Sequence, residues 1–178
     1  PVADDLKFSA PVKLTEGPNE LILVATDRAG NETKQVISVN LDTQPPGISW
    51  SGLPDKGWTN KVENVITGKV SEIATLTLNG ANVPVSDDLK FSAAVKLTEG
   101  PNEIVLVATD RAGNETRQSI SVTLDTQPPG ISWAGLTDKG WTNKVENVIT
   151  GQVSEIATLM LNGANVVVGE DLQFSVSV

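Results

Sequence analysis

From Leu89 to Leu97 apolar and polar residues alternate: Leu89, Phe91, Ala93, Val95 and Leu97 fall on one face, Lys90, Ser92 and Lys96 on the other. A period of two over this length predicts a strand with one buried face. Thr98-Glu99-Gly100-Pro101-Asn102 then reads as a turn. Glu103 to Thr109 is apolar at nearly every position, the pattern of a central strand, with Ile104, Leu106 and Ala108 inward and Val105 and Val107 outward. Asp110-Arg111-Ala112-Gly113-Asn114 is the next turn, with Gly113 and Asn114 suited to positive φ. Gln118 to Leu124 alternates again, so the two strands form a hairpin.

Asp125-Thr126-Gln127-Pro128-Pro129-Gly130 breaks the pattern, as does Asp42-Thr43-Gln44-Pro45-Pro46-Gly47. Paired prolines cannot continue a ladder, and both stretches read as stiff boundaries between modules. After each boundary comes a short strand, Ile48-Ser49-Trp50 in the first case, then a loop over 52–57. A strand follows over 61–70, then Ala74 to Leu78, and Asn79-Gly80 is a strong hairpin signal. With about seven short strands per module and no helical period, the fold class is all-β, an antiparallel sandwich.

The whole pattern repeats. Trp50 recurs as Trp133 and Trp58 as Trp141, a period of 83 residues, and positions 1–83 and 84–166 differ at 11 places, leaving 72 of 83 identical. A unit of this size can bury a core of its own, unlike the shorter repeats of a solenoid. The boundaries divide the chain into the C-terminal half of a module (1–44), one complete module (45–127) and the N-terminal half of another (128–178). A start without Met and a stop inside a repeat read as a slice of a longer array.

Composition narrows the function. The formal net charge is −9, which disfavours a nucleic-acid partner or an anionic lipid surface. There is no Cys and no His, so thiolate metal sites, the commonest general base and the usual pH switch are missing. No apolar run reaches the length of a membrane-spanning helix. Repetition itself favours length or valency over catalysis, which needs one site; the chain reads as a non-enzyme.

The runs Gly-x-Val-Ser-x-x-Ala-x-Leu-x-Leu-Asn-Gly, Phe-Ser-Ala-x-Val-x-Leu-Thr-Glu-Gly-Pro-Asn-Glu, Ala-Thr-Asp-Arg-Ala-Gly-Asn and Leu-Asp-Thr-Gln-Pro-Pro resemble bacterial Ig-like repeats, specifically the module of the glucodextranase domain B type. The resemblance covers the whole chain. It implies an Ig-like sandwich and a place in a large extracellular surface protein. It also implies calcium at module junctions, with Asp27, Asp42, Asp110 and Asp125 as ligands. Asp110 and Asp125 lie at opposite ends of the hairpin, so one ion would be shared across a junction, Asp42 from one module meeting the Asp110 turn of the next. Carbonyls, Asn114, Asp55 or waters would fill the remaining positions. The competing reading makes Asp27 and Asp110 Asx-turn acceptors and Asp42 and Asp125 linker solvation.

Trp50, Trp58, Trp133 and Trp141 are the only tryptophans. They either close the core or the junction, or stand exposed to stack on sugars. The acidic pairs Asp4-Asp5, Asp87-Asp88 and Glu170-Asp171 read as solvated turns or edge protection. The functional expectation is a spacer or shaft of a repetitive extracellular surface protein. Its partners are neighbouring copies of the repeat, within and between chains, with modules completed head to tail to form a fibre. The alternative is a repeated carbohydrate-binding module acting by avidity.

Overall fold

The computed structural model describes residues 7–178. It contains fifteen strands and no helix among the described residues. Two compact units divide at Asp125, the second being Thr126–Val178.

The complete sandwich lies within the first unit. One sheet has the order β3 (Ile48–Ser51), β5 (Glu63–Val70), β8 (Lys90–Lys96), all antiparallel. The facing sheet runs β4 (Gly57–Thr59), β10 (Glu115–Leu124), β9 (Gly100–Thr109), β6 (Thr75–Leu78), β7 (Ala81–Val83). Between the sheets lie Ile66, Val70, Leu76, Leu78, Phe91, Val95, Ile104, Leu106, Ala108, Ile120 and Val122, all buried. These are the inward positions that the alternation selects. The β6–β7 turn has Asn79 at φ 49° and Gly80 at φ 82°, the paired left-handed residues of a tight hairpin.

Four local features depart from the sequence reading. β4 makes an eighth strand and pairs parallel to β10, Gly57 opposite Val122 and Thr59 opposite Leu124, so the sandwich is antiparallel everywhere except at this edge. Leu89 is not the first residue of its strand. It stands at φ 65°, its N–H donating to the Ser86 carbonyl (2.8 Å) and its carbonyl accepting from Val70 N–H (2.9 Å), while its side chain packs on the core. Of the Gly113-Asn114 pair only Gly113 has positive φ, 94°; Asn114 is held by its side chain instead. At the boundary, Pro46 is fully buried rather than an exposed linker residue.

Before the sandwich, in the same unit, β1 (Gly17–Thr26) and β2 (Glu32–Leu41) form an antiparallel hairpin in the register of β9 and β10. Residues 7–15 form no strand. The second unit holds a sheet of β11 (Ile131–Ala134), β12 (Val148–Val153) and β15 (Gln173–Ser177), and a separate hairpin of β13 (Leu159–Leu161) and β14 (Ala164–Val166). It reproduces the first half of the module. Among its apolar residues only Val153 and Phe174 are buried.

Candidate functional site

The Asp110 turn builds itself around one carboxylate. Asp110 Oδ1 accepts from Gly113 N–H (2.8 Å) and Asn114 N–H (2.9 Å), and Oδ2 accepts from Asn114 Nδ2 (2.8 Å). Asn114 Nδ2 also donates to the main-chain carbonyl of Asp42 (3.0 Å). One side-chain amide thus ties the end of the β1–β2 hairpin to the turn of the complete module. Within the complete module, Gln118 Nε2 of β10 donates to the Ile48 carbonyl of β3 at 3.1 Å.

This arrangement brings Asp42 and Asp110 together and adds Glu72, from the loop between β5 and β6. One carboxylate oxygen from each lies within 4.8 Å of the others, and all three side chains are half-buried. Arg111, Ile73 and Leu89 line the same open hollow. Three hard oxygen donors at this spacing suit calcium or magnesium and are poorly suited to softer metals. Glu72 is the residue the sequence reading missed. Nothing in its local sequence marks it, because it reaches the site through a loop that only the fold places there.

Asp27 and Asp125 do not join a cluster among the described residues. Asp27 sits in the β1–β2 turn, accepting from Ala29 N–H, Asn31 N–H and Asn31 Nδ2, each at 2.8 Å. Asp125 N–H donates to the Thr59 carbonyl (3.0 Å), closing the end of β4. Both are repeat equivalents of the clustered pair, and each lacks the full set of repeat-related carboxylates within residues 1–178. Asp55 is engaged elsewhere, accepting from Ser121 N–H at 3.0 Å. Asp27 and Asp110 act as Asx-turn acceptors, as the competing reading has it, and for Asp110 this coexists with membership of the carboxylate cluster.

The carboxyl of Asp110 is held below its ordinary value, first by the Asn114 side-chain amide and then by the turn N–H groups; Asp27 is lowered by Asn31 in the same way. A carboxylate with a depressed folded value stabilises the turn above its unfolded value, near 3.8, and that contribution disappears as pH falls through the folded value. An NMR titration of Asp110 should therefore give a midpoint below 3.8 that moves up in Asn114→Ala. A midpoint at or above 3.8 in the parent chain would contradict the clasp.

The tryptophans separate by environment. Trp50 is half-buried and packs on the core, whereas Trp58, on the edge strand β4, is 71% exposed. Trp133 and Trp141 are both exposed. Of the acidic pairs, Asp4-Asp5 lies outside the described residues. Asp88 forms an ion pair with Lys90 and accepts from Ser86 Oγ (2.6 Å); these contacts lower its carboxyl to about 2. Asp171 accepts from Gln173 N–H at 3.1 Å. Each of these two pairs belongs to a solvated turn entering a strand.

Two facing sheets with this strand order, repeated at a fixed period and joined through a short proline boundary, define tandem Ig-like β-sandwich modules. Residues 51–126, most of the complete module, match the family model described as glucodextranase, domain B. The chain is 35% identical over 133 residues to Bacillopeptidase F of Bacillus subtilis (strain 168), covering 73% of this chain and 9% of that protein. It is 29% identical over 182 residues to a PII-type proteinase of Lactococcus lactis subsp. cremoris, covering 89% of this chain and 10% of the relative. The chain thus spans about a tenth of the length of the curated relatives it matches. Among solved structures, a tetra-tandem repeat in the extending region of a large adhesion protein is similar with TM-score 0.42 and 19% identity, over 92% of this chain and 48% of that one. The fibronectin(III)-like modules of Clostridium thermocellum CbhA give TM-score 0.38 and 18% identity, over 62% and 64%.

Proposed function

We propose that this chain is a non-catalytic spacer segment of a large extracellular surface protein, whose modules are joined end to end and stiffened at their junctions by calcium. The observation that carries this reading is the clasp at residues 42–46, where the end of one hairpin, the Asp110 turn and Glu72 of the next module converge. Calcium would be held by Asp42, Glu72 and Asp110, with main-chain carbonyls and water completing its shell. It would offset the repulsion among three carboxylates and oppose bending at the boundary. The relatives, named as a peptidase and proteinases about ten times longer than this chain, support a part that positions other domains. Among the described residues no helix is long and apolar enough to cross a membrane.

Calcium titration tests this. Added calcium should raise the melting temperature of the first unit, by an amount corresponding to about 2.7 kcal/mol at a hundredfold excess over the dissociation constant, and a chelator should reverse it. Glu72→Gln should abolish the response while leaving the calcium-free melting temperature near its parent value. Identical melting curves and scattering profiles with and without chelator would remove the ion from the account. The exposure of Trp58 favours a second reading, a carbohydrate contact repeated along the array. Quenching of Trp58 fluorescence by a polysaccharide, absent in Trp58→Ala, would support it.

A further inference from the structure

The complete module and the second unit share 51 aligned positions, 45–95 against 128–178, and ten of them differ. Five of the ten lie in one open hollow on the outer face of the β3–β5–β8 sheet, although only twelve residues line it. Ser51, Lys69, Pro84, Ser86 and Lys90 of the complete module stand where the second unit has Ala134, Gln152, Val167, Gly169 and Gln173. Ser49, Lys69 and Lys90 form one cross-strand row over β3, β5 and β8, and Ser51, Thr67 and Ser92 form the next, about 7 Å along the strands. All six are exposed. In the second unit the first row reads Ser132, Gln152, Gln173 in the same register, so both lysines give way to glutamine together. Two lysines directly opposite each other repel, and the pair costs stability in the free chain. Asp88 engages Lys90 in an ion pair, whereas Lys69 has none among the described residues. In a chain of net charge −9 this row gathers positive charge at one place.

We infer that this hollow binds an acidic oligosaccharide, one whose sugar units carry carboxylates, and that the complete module binds it where the second unit does not. Each ammonium offers three donors, and the hydroxyls of the second row both donate and accept. Together they match a ligand that presents carboxylate oxygens beside ring hydroxyls, with charge-assisted bonds at the lysine row. An acidic peptide segment would satisfy the lysines and leave the row of Ser51, Thr67 and Ser92 to water. The hollow is open, with Pro84 and Val85 along one side, so its occupant is a chain lying on the sheet rather than a small molecule enclosed by it. A bound carboxylate also relieves the repulsion between Lys69 and Lys90. The hollow shares no residue with the carboxylate cluster at the junction. It goes beyond the spacer reading, giving one module a grip that its neighbour lacks.

Isothermal titration calorimetry of the 178-residue chain with a galacturonate tetrasaccharide tests it, at low salt and with a chelator present so that calcium plays no part. The parent should bind one tetrasaccharide per chain, with an affinity that falls as salt is added. The double variant Lys69→Gln/Lys90→Gln, which gives the complete module the pair found in the second unit, should bind about tenfold more weakly or worse, having lost its charge-assisted contacts. Hydrogen exchange over residues 45–124 confirms that the module is intact in the variant. A parent that does not bind overturns the inference. So does equal affinity in the double variant, or equal affinity for the fully methyl-esterified tetrasaccharide, which keeps the shape and loses the charge. Tetraglutamate binding as tightly as the uronate would assign the hollow to an acidic protein segment and overturn the choice of ligand. The calcium response of the junction is measured separately on the same chain, so the failure of either reading is visible without the other.

Discussion

Leu106→Ala is expected to destabilise the complete module by about 2–5 kcal/mol, the range for removing a fully buried leucine from a packed core. Leu23→Ala, the same substitution one repeat earlier, is expected to change the stability of a monomeric chain by about 0.5 kcal/mol or less. The two leucines occupy equivalent positions in nearly identical strands, so propensity and backbone geometry cancel between them. What differs is the second sheet. Leu106 is 0% exposed between β9 and the facing sheet, and Leu23 is 39% exposed on a hairpin without one. Hydrogen exchange read separately on residues 100–124 and 17–41, at concentrations where the chain is monomeric, measures both. Equal effects at the two sites would mean that the inner face of the hairpin is covered in solution.

Gly68→Ala should be nearly as severe despite adding one methyl. Trp50, Gly68 and Phe91 form a cross-strand row over β3, β5 and β8. A Cβ at Gly68 would lie 2.5 Å from Phe91 Cζ and 2.7 Å from Cε1, and would press on the Ser49 carbonyl oxygen. Phe91 is buried among core side chains, so its ring moves aside only by displacing neighbours, and Ser49 lies on β3, which pairs with β5. Overpacking of this kind costs about 1–3 kcal/mol, and displacement of the backbone oxygen adds to it. The denaturant midpoint of the complete module should fall accordingly. Phe91→Leu in the Gly68→Ala background should recover only the part due to the ring. An unchanged midpoint in Gly68→Ala would show that β3 is free to move and that the row is not packed as described.

The alternation over 89–97, the near-continuous apolar run over 103–109 and the Asn79-Gly80 turn are local signals, and they placed the core side chains correctly because a strand's two faces are set by its own sequence. β4 was not legible in this way. Gly57-Trp58-Thr59 carries no strand pattern and is held by a partner more than sixty residues later. Leu89 looked like a strand residue because its side chain does point inward; its left-handed backbone shows only when its carbonyl is seen to cap β5. At the junction, Asp42 and Asp110 could be paired on paper because the hairpin's polarity puts them at facing poles. Glu72 could not, since loops carry no register, and the dual role of the Asn114 amide needs three-dimensional coordinates.

The parallel pairing of β4 with β10 also sets an order of events. Synthesis from the N-terminus delivers β4 to β8 well before β10, so each module waits, with one face open, until its last hairpin arrives. During that interval the hairpin of the preceding module is already present and nearly identical in sequence, a competitor for the same face. Because Asn114 lies in the turn of that last hairpin, its bond to the Asp42 carbonyl forms only once β9 and β10 have arrived, so the junction closes after the module is complete. The clasp then marks a finished module as well as joining it to the hairpin before it.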